Sequence, residues 1–397
     1  MRTLIALTAA AALIGAAACD NDDDDGLVSV GPTEPPVDTM AVDTVTTPVD
    51  TATAPTDTLT AAEREARLDS IAAVVESDSG AIGTHPEHGL ILRTAPARFD
   101  DLEGWPYPAR YVDVDPSGAG IGLQMHYIDV GPRDGEVVLL MHGNPAWGYL
   151  VRDLVDPLTE AGYRVIVPDL IGFGKSDKPL SREAHTYDHH VRWVRAFTDS
   201  LDLRGVTLHG QDWGGLIGLR VAVYQQDRFA RVAASNTALP DGTIGDERTF
   251  SRWRDVISQR VPRFSQVMQA ASRAELTPGQ LRAYDAPFPE EEPYDYTAGP
   301  REMPAEVPFD PDSEEAIENR AAVAAYDAWG VPIMTLFSED PETGTTAGGQ
   351  TQLDTLSGAA GNAHVNLGDE IAGHYIREDV PDSVTTYLLE FMRANPL

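Results

Sequence analysis

The chain of 397 residues contains very little cysteine and lysine. Cys19 is the only cysteine, so the chain can form neither an internal disulfide nor a cysteine-based metal site. Lysine occurs only at Lys175 and Lys178, and 63 acidic residues against 29 basic ones leave a formal net charge of −34. So acidic a chain repels phosphate backbones and anionic lipid surfaces, and we expect no nucleic-acid partner.

Long apolar runs are also missing after the N-terminal region, so we expect no internal membrane span. At the N-terminus, Arg2 precedes an apolar stretch at residues 4–18, and three alanines stand directly before Cys19. Residues 1–18 have the pattern of a signal peptide. The cysteine after it resembles the bacterial lipoprotein signal, whose cysteine is lipidated. This predicts an extracytoplasmic protein at the periplasm or cell surface, held to the membrane only by lipid on Cys19; the alternative is simple secretion.

Residues 19–60 are rich in Asp, Thr and Pro and contain few large apolar side chains. Such a segment buries too little surface to offset its ordering entropy, so we predict a disordered tether. Residues 61–90 follow as a short helix or a linker, because Leu68, Ile71 and Val75 have helical spacing.

Short apolar runs alternate with helical patterns from about residue 91 onward. Residues 111–114 and 123–130 alternate like an antiparallel pair of strands, whereas residues 137–141 form a continuous apolar run, typical of a strand buried on both faces. Further runs lie at 164–168, 206–209, 231–234, 331–337 and 364–367, and helical stretches lie at 149–161, 185–201, 215–225 and 381–395. This order predicts an α/β fold, a parallel sheet with helices on both faces.

The alternation stops between residues 238 and 328. Helical pieces at 247–260 and 277–284 lie in this interval, among Pro, Arg, Glu and aromatic residues. Strands precede and follow it, so we predict a helical cap inserted into a core of residues 91–237 and 329–397.

The most informative motif is Gly-Gln-Asp-Trp-Gly-Gly at 210–215, between a predicted strand and a predicted helix. A Gly-x-nucleophile-x-Gly turn lifts one side chain above the edge of the sheet, and that side chain is Asp212. A carboxylate is ionised at neutral pH and suits attack on a saturated carbon that bears a leaving group. The alternative is a glycine-rich turn in which Asp212 caps the helix.

A second motif, His-Gly-Asn-Pro at 142–145, follows the strand predicted at 137–141. In α/β-hydrolases this loop and the residue after the nucleophile supply the backbone N–H groups of the oxyanion hole. We therefore assign that hole to Asn144 and Trp213.

Together these motifs resemble those of the haloalkane dehalogenases. The resemblance covers about residues 92–393 and rests on His-Gly-Asn-Pro-Ala-Trp at 142–147, Pro-Asp-Leu-Ile-Gly-Phe-Gly-Lys-Ser-Asp-Lys-Pro at 168–179, the 210–215 motif, and Gly-His-Tyr at 373–375. It implies an α/β-hydrolase fold with a mostly parallel eight-stranded sheet and a helical cap. It further implies hydrolysis of a small apolar halogenated substrate by water, without a cofactor or metal. We expect a monomer.

The same resemblance implies the remaining site residues. His374 is the base that activates water, and the acid that orients it is Asp340, with Glu339 as the alternative. The family's other acid position, just after residues 233–236, offers no acid before Asp241. The departing halide is held by Trp213 and a cap tryptophan, Trp253, as in one subfamily, with Asn144 as the alternative or assisting donor.

Other assignments stay open at this stage. An epoxide hydrolase would share the Asp nucleophile but use cap tyrosines as acids, and Tyr284, Tyr294 and Tyr296 are candidates. A non-catalytic ligand-binding lipoprotein is a further alternative. Four apolar residues could line the substrate pocket or pack in the core: Trp147, Leu239, Phe250 and Phe288. We expect His85 and His88 to be exposed, and the His185–His189 spacing to mark a solvated helix start rather than a metal site.

Overall fold

The computed structural model describes residues 83–118, 122–245, 247–258, 263–290, 295–338 and 348–397. All of them belong to one compact unit, Leu59–Leu397. The predicted signal peptide, Cys19, the tether and the helix near Leu68 lie outside the described residues, as do Tyr294, Glu339 and Asp340. None of the helices in the described ranges has the length and apolar character needed to cross a bilayer.

Eleven strands form two sheets in this part of the chain. They are β1 (Gly83–His85), β2 (Gly89–Leu92), β3 (Arg110–Val114), β4 (Leu123–Val130), β5 (Val137–Met141), β6 (Arg164–Pro168), β7 (Lys178–Pro179), β8 (Val206–Gln211), β9 (Phe229–Ser235), β10 (Ile333–Phe337) and β11 (His364–Asn366). The large sheet has the order β11-β10-β9-β8-β5-β6-β4-β3. The predicted eight-stranded sheet is confirmed.

The centre of the large sheet is parallel, and its β3–β4–β6 side is antiparallel. All five residues of β5 are buried, which explains its continuous apolar run. In the β5–β8 pair, Met141 lies opposite Gly210, so the two strands end side by side. This register brings the 142–145 loop and the 210–215 turn to the same edge of the sheet.

Eleven α-helices accompany these strands within the described ranges. They are α1 (Arg152–Glu160), α2 (Tyr187–Ser200), α3 (Trp213–Tyr224), α4 (Glu247–Ser258), α5 (Phe264–Ala271), α6 (Pro278–Asp285), α7 (Ala298–Glu302), α8 (Glu314–Trp329), α9 (Gly349–Asp354), α10 (Ile376–Asp379) and α11 (Pro381–Ala394). Helix α1 packs against α11, whereas α2 packs against α3. The strand-and-helix alternation predicted from the sequence is confirmed.

The helices between β9 and β10 differ in their packing. Helices α4 to α7 lie in the segment predicted as the cap, but α8, which the prediction also included, packs on core helix α3. There the Tyr326 hydroxyl donates to the Leu219 carbonyl at 2.9 Å. The last helix of the predicted cap thus packs on the core, a contact that its sequence pattern does not reveal, and the cap boundary at residue 328 stays a prediction.

Residues 83–92, partly predicted as a linker, form a small β-sheet instead. Strands β1 and β2 pair antiparallel, and β2 also pairs with β7. His88 is only 6% exposed and packs edge-on against Trp193, so the expectation that it is exposed was wrong. The pairing with residues 178–179, which covers this segment, is not visible in the local sequence.

Burial lowers the pKa of four histidine side chains in the interior, which favours their neutral form. Burial lowers the pKa of His185 to about 4 and lowers those of His142, His190 and His209 as well. Among the described residues, neither ring nitrogen of His190 has a hydrogen-bond partner, and the ring packs edge-on against Trp193 at 5.0 Å. Protonation of these rings in the folded state would place charge in an apolar interior.

We expect stability to fall steeply as the pH drops from 6.5 towards 4. Above pH 6.5 the rings are neutral in both states; below it the unfolded chain takes up protons before the folded chain does, which costs up to about 1.4 kcal/mol per pH unit for a ring that stays neutral in the folded state. His190→Phe removes one of these rings without removing a hydrogen bond. Urea unfolding between pH 7 and 4.5 should therefore give a shallower decline for this variant. Parallel curves for wild type and variant would contradict the prediction.

Candidate active site

The 210–215 turn joins β8 to α3 through Asp212. Its φ of 52° and ψ of −129° lie where side-chain-bearing residues are strained. A Cβ on Gly210 would come within 2.6 Å of the Gly215 Cα, and one on Gly214 within 2.6 Å of the Met141 carbonyl oxygen. The glycines are thus required for the close approach of strand and helix, and the predicted sharp turn is present.

Hydrogen bonds hold the Asp212 backbone in this conformation. Its carbonyl accepts from the N–H groups of Gly215 and Leu216, at 2.8 and 3.0 Å, and from the Thr237 hydroxyl at 2.8 Å. Its own N–H donates to the Asn236 carbonyl at 3.1 Å. These hydrogen bonds therefore stabilise backbone angles of Asp212 that would be unfavourable without them.

The Asp212 carboxylate faces two of the predicted site residues. Its Oδ1 accepts the Asn144 backbone N–H at 2.7 Å, and its Oδ2 lies 3.5 Å from His374 Nε2. The side chain is 17% exposed and makes no capping bond to α3. The alternative reading of Asp212 as a helix cap is therefore wrong.

The loop after β5 is held from several directions. A Cβ on Gly143 would come within 2.5 Å of Asp212 side-chain atoms, so only glycine lets the loop approach the carboxylate so closely. The buried His142 ring accepts the Leu170 N–H at 2.9 Å, and the Tyr375 hydroxyl donates to the Asn144 carbonyl at 3.0 Å. The Asn144 half of the predicted oxyanion hole is in contact with the carboxylate, whereas the Trp213 half stays a prediction.

His374 lies in a segment without regular secondary structure, before α10. Its side chain is 3% exposed, and its ring packs edge-on against Tyr375 at 4.8 Å. The backbone N–H of His374 donates to the carbonyl of Ala271 in cap helix α5 at 2.9 Å. The predicted nucleophile and base, 162 positions apart in sequence, are thus brought together.

The acid partner of His374 stays a prediction, because Asp340 and Glu339 lie outside the described residues. At the family's other acid position, the buried side chain that follows β9 is Asn236, 1% exposed. The Asp241 carboxylate bonds instead with the N–H and hydroxyl of Thr243 in an exposed turn.

A cavity opens above Asp212 and His374. Apolar side chains form much of its wall. Its lining residues are Asn144, Asp212, Trp213, Leu216, Asn236, Thr237, Ala238, Pro240, Phe250, Trp253, Pro304, Val307 and His374. Trp213, Trp253 and Asn144, the three predicted halide contacts, therefore all line the cavity that contains the carboxylate. The Trp213 ring is 3% exposed and packs edge-on against Tyr187, and Trp253 is half-buried.

Three of the aromatic and apolar residues left open by the sequence belong to the core and not to this lining. The Trp147 indole donates to the Ala283 carbonyl at 3.0 Å, Phe288 packs on Phe264, and Leu239 is fully buried. Phe250 does line the cavity. No group of three or more side chains suited to a metal occurs among the described residues.

Sequence reasoning missed the roles of Gln211, Tyr375 and Arg377. Arg377 is fully buried, and burial lowers its pKa to about 9. It donates to the carbonyls of Met141 and His209, at 2.6 and 2.8 Å, near the ends of β5 and β8. It thus joins the strands that lead into the 142–145 loop and the 210–215 turn. The only sign of this in the sequence is its position soon after His374.

Known proteins share both the fold and the sequence. A family model described as the alpha/beta hydrolase fold matches residues 136–339. The haloalkane dehalogenase of Psychrobacter cryohalolentis is 42% identical over 308 residues, which cover 77% of this chain and 99% of that protein. The haloalkane dehalogenase of Mycobacterium marinum is 42% identical over 296 residues, which cover 73% and 95%.

Among solved structures, the tetrameric haloalkane dehalogenase DpaA of Paraglaciecola agarilytica is similar, with a TM-score of 0.64 and 29% identity. The match covers 77% of this chain and 97% of that one. Because relatives of this name are 42% identical and are matched over nearly their whole length, and because the 210–215 turn, the 142–145 loop and His374 meet as the resemblance implied, the chain belongs to the haloalkane dehalogenase family of α/β-hydrolases.

Proposed function

We propose that the protein hydrolyses haloalkanes to an alcohol and a halide through an alkyl ester on Asp212. One observation carries the proposal: the Asp212 carboxylate faces a largely apolar cavity with Asn144 and His374 on either side and two tryptophans in its wall. An ionised carboxylate needs no base to attack carbon, and an apolar cavity suits a haloalkane.

In the first step Asp212 Oδ2 attacks the carbon that bears the halogen. A carbon–oxygen bond forms as the carbon–halogen bond breaks, and the halide leaves with the bonding electron pair. Indole N–H groups are donors without an acceptor function, so they stabilise the departing anion. The Asn144 N–H on Oδ1 leaves Oδ2 as the oxygen that faces substrate.

In the second step His374 removes a proton from water as the water oxygen attacks the Asp212 carboxyl carbon. Negative charge develops on Oδ1, where the Asn144 N–H lies at 2.7 Å. Collapse of the tetrahedral intermediate breaks the bond between the carboxyl carbon and the alkyl oxygen, and the alcohol leaves with one proton. The carboxylate is restored, and the second proton passes to solvent.

We propose that Trp253 is the second halide donor. Trp253→Phe keeps an aromatic ring in the cavity wall but removes the N–H. A hydrogen bond to an anion contributes about 1.5–3 kcal/mol, so kcat/KM for a bromoalkane should fall about 10- to 100-fold, and inhibition by free bromide should weaken similarly. If Trp253→Phe changes neither kcat/KM nor the inhibition by bromide, and Asn144→Ala lowers kcat/KM and weakens the inhibition, the second donor is Asn144.

The two candidate cap tyrosines that the structure describes, Tyr284 and Tyr296, favour dehalogenation over epoxide hydrolysis. The Tyr284 hydroxyl is buried and donates to Glu378 at 2.5 Å, and Tyr296 lines a different cleft. Neither belongs to the lining of the Asp212 cavity, and an epoxide hydrolase needs such an acid there. Parallel assays of bromide release from 1,2-dibromoethane and of diol formation from styrene oxide separate the two activities. Bromide without diol supports the proposal; diol without bromide, or neither product, contradicts it.

We further propose that the protein is exported and lipidated on Cys19, as its N-terminal sequence indicates. The relative from Psychrobacter is matched over 99% of its length by 77% of this chain, so this chain carries additional residues. The cell-expressed protein should partition into detergent and yield a lipidated N-terminal peptide, and Cys19→Ser should abolish both. A wild-type protein that stays in the aqueous phase would contradict lipidation.

We also propose that the protein is a monomer in solution. In the part of the chain that the structure describes, the large exposed apolar side chains are spread over separate elements: Tyr224 on α3, Val256 on α4, Ile317 on α8, Ile371 before α10, and Leu397 at the C-terminus. The net charge of −34 adds mutual repulsion. Light scattering of the purified protein should give a mass near 43 kDa for the full chain, and a multiple of it would contradict the proposal.

A further inference from the structure

Two side-chain amides converge on the main-chain carbonyl of His374. Gln211 Nε2 donates to this oxygen at 2.5 Å, and Asn236 Nδ2 donates to it at 2.8 Å. Gln211 ends β8 and Asn236 directly follows the neighbouring parallel strand β9, whereas His374 lies in no regular element. The position of this segment therefore depends on bonds from outside it.

Gln211 links the nucleophile and the base directly. It is the residue before Asp212, it is fully buried, and its side chain reaches the carbonyl of the base. Its Oε1 has no hydrogen-bond partner among the described residues. A buried carbonyl without a partner is unfavourable, so an apolar side chain would suit this position better if only packing mattered. The contribution of the Gln211 side chain is therefore the hydrogen bond that its Nε2 donates to the His374 carbonyl.

Asn236 extends the same arrangement to a third strand. Its Oδ1 accepts the Ser338 N–H at 2.9 Å, and the Ser338 hydroxyl donates to the Gly373 carbonyl at 2.7 Å. Ser338 directly follows β10 and precedes the two acids predicted to orient His374. The end of β10 and the 373–374 segment are thus held by one side chain.

We propose that Gln211 and Asn236 are positioning residues for the second step: their amides hold the His374 backbone so that its imidazole reaches Asp212. The inference rests on the proposed function and adds to it. Attack by Asp212 on the substrate needs no base, whereas attack by water on the ester does. Loss of an amide therefore slows hydrolysis of the ester and leaves its formation nearly unchanged.

The test is a single-turnover experiment with excess enzyme and 1,2-dibromoethane. Bromide reports formation of the ester, and bromoethanol reports its hydrolysis. In Gln211→Met, which keeps the volume but loses the donor, bromide release should stay within about two-fold, and alcohol formation should slow about 10- to 100-fold, the cost of a small misplacement. In the steady state kcat and KM should fall together, because the ester accumulates.

A second variant and a matched control guard against a general loss of structure. Gln211→Leu also removes the donor and leaves an apolar side chain of similar size, and we expect the same selective slowing. Tyr326→Phe removes one buried hydrogen bond, to the Leu219 carbonyl, away from the cavity. It should leave the ratio of the two rates at the wild-type value.

Three results would overturn the inference. Equal slowing of both steps in the Gln211 variants would make the residue merely structural, and unchanged hydrolysis would make its donor irrelevant. A changed ratio in Tyr326→Phe would show that any lost core bond has this effect. By contrast, a wild-type enzyme that releases no bromide would refute the proposed function itself, and the two failures are therefore distinguishable.

Discussion

Asp212→Asn is expected to lower the rate of halide release by at least about four orders of magnitude, the scale seen when a nucleophile is removed. A carboxamide has the shape of the carboxylate but no negative charge, and it is a poor nucleophile. Its oxygen can still accept the Asn144 N–H that Oδ1 accepts at 2.7 Å, so the turn should keep its geometry.

Asparagine is also the replacement that best isolates chemistry from folding. Asn has the size of Asp, and both residues are enriched at positive φ, so the exchange should add little strain to the φ of 52° at this position. Thermal unfolding of the variant should therefore resemble that of the wild type, while bromide release from 1,2-dibromoethane disappears. A variant with activity within about ten-fold of the wild type would mean that Asp212 is not the nucleophile.

His374→Ala should separate the two steps completely. Asp212 can still displace the halide, but no base lies 3.5 Å from its Oδ2 to activate water. We expect one equivalent of halide per enzyme and then no further turnover, a loss of at least about three orders of magnitude in the steady state. Intact-mass spectrometry should show the alkyl group retained by the protein, and peptide mapping should locate it on Asp212.

This variant also distinguishes among the activities considered above. A ligand-binding protein without catalysis would give neither halide nor adduct. Continued turnover at the wild-type rate would show that His374 is not the base. An adduct on a residue other than Asp212 would move the chemistry to a different side chain.

The sequence sufficed for those features that local chemistry determines. The nucleophile turn could be predicted because a buried strand, two glycines and an acid follow one another within a few residues, and their steric limits hold in any context. The parallel sheet followed from the regular spacing of apolar runs. Trp253 could be placed near the cavity only through a family resemblance, since no local rule connects a cap helix to a distant carboxylate.

Other features depend on contacts between distant segments. The Gln211 amide meets the His374 carbonyl across 163 positions, and nothing near Gln211 in the sequence indicates that partner. The same holds for Arg377, whose carbonyl partners lie on β5 and β8. Trp147 is a residue type that often lines pockets, but its indole N–H donates to the Ala283 carbonyl in α6, and this contact places it in the core. Contacts of this kind are known only from the three-dimensional structure.

In the two-step mechanism the oxygen of the product alcohol comes from Asp212 and not directly from water. A single turnover in H₂¹⁸O with excess wild-type enzyme distinguishes the two origins. We expect unlabelled alcohol and one ¹⁸O atom in the peptide that contains Asp212, because water attacks the carboxyl carbon. Labelled alcohol from the first turnover, with an unlabelled Asp212, would show that water attacks the substrate itself and would rule out the alkyl ester.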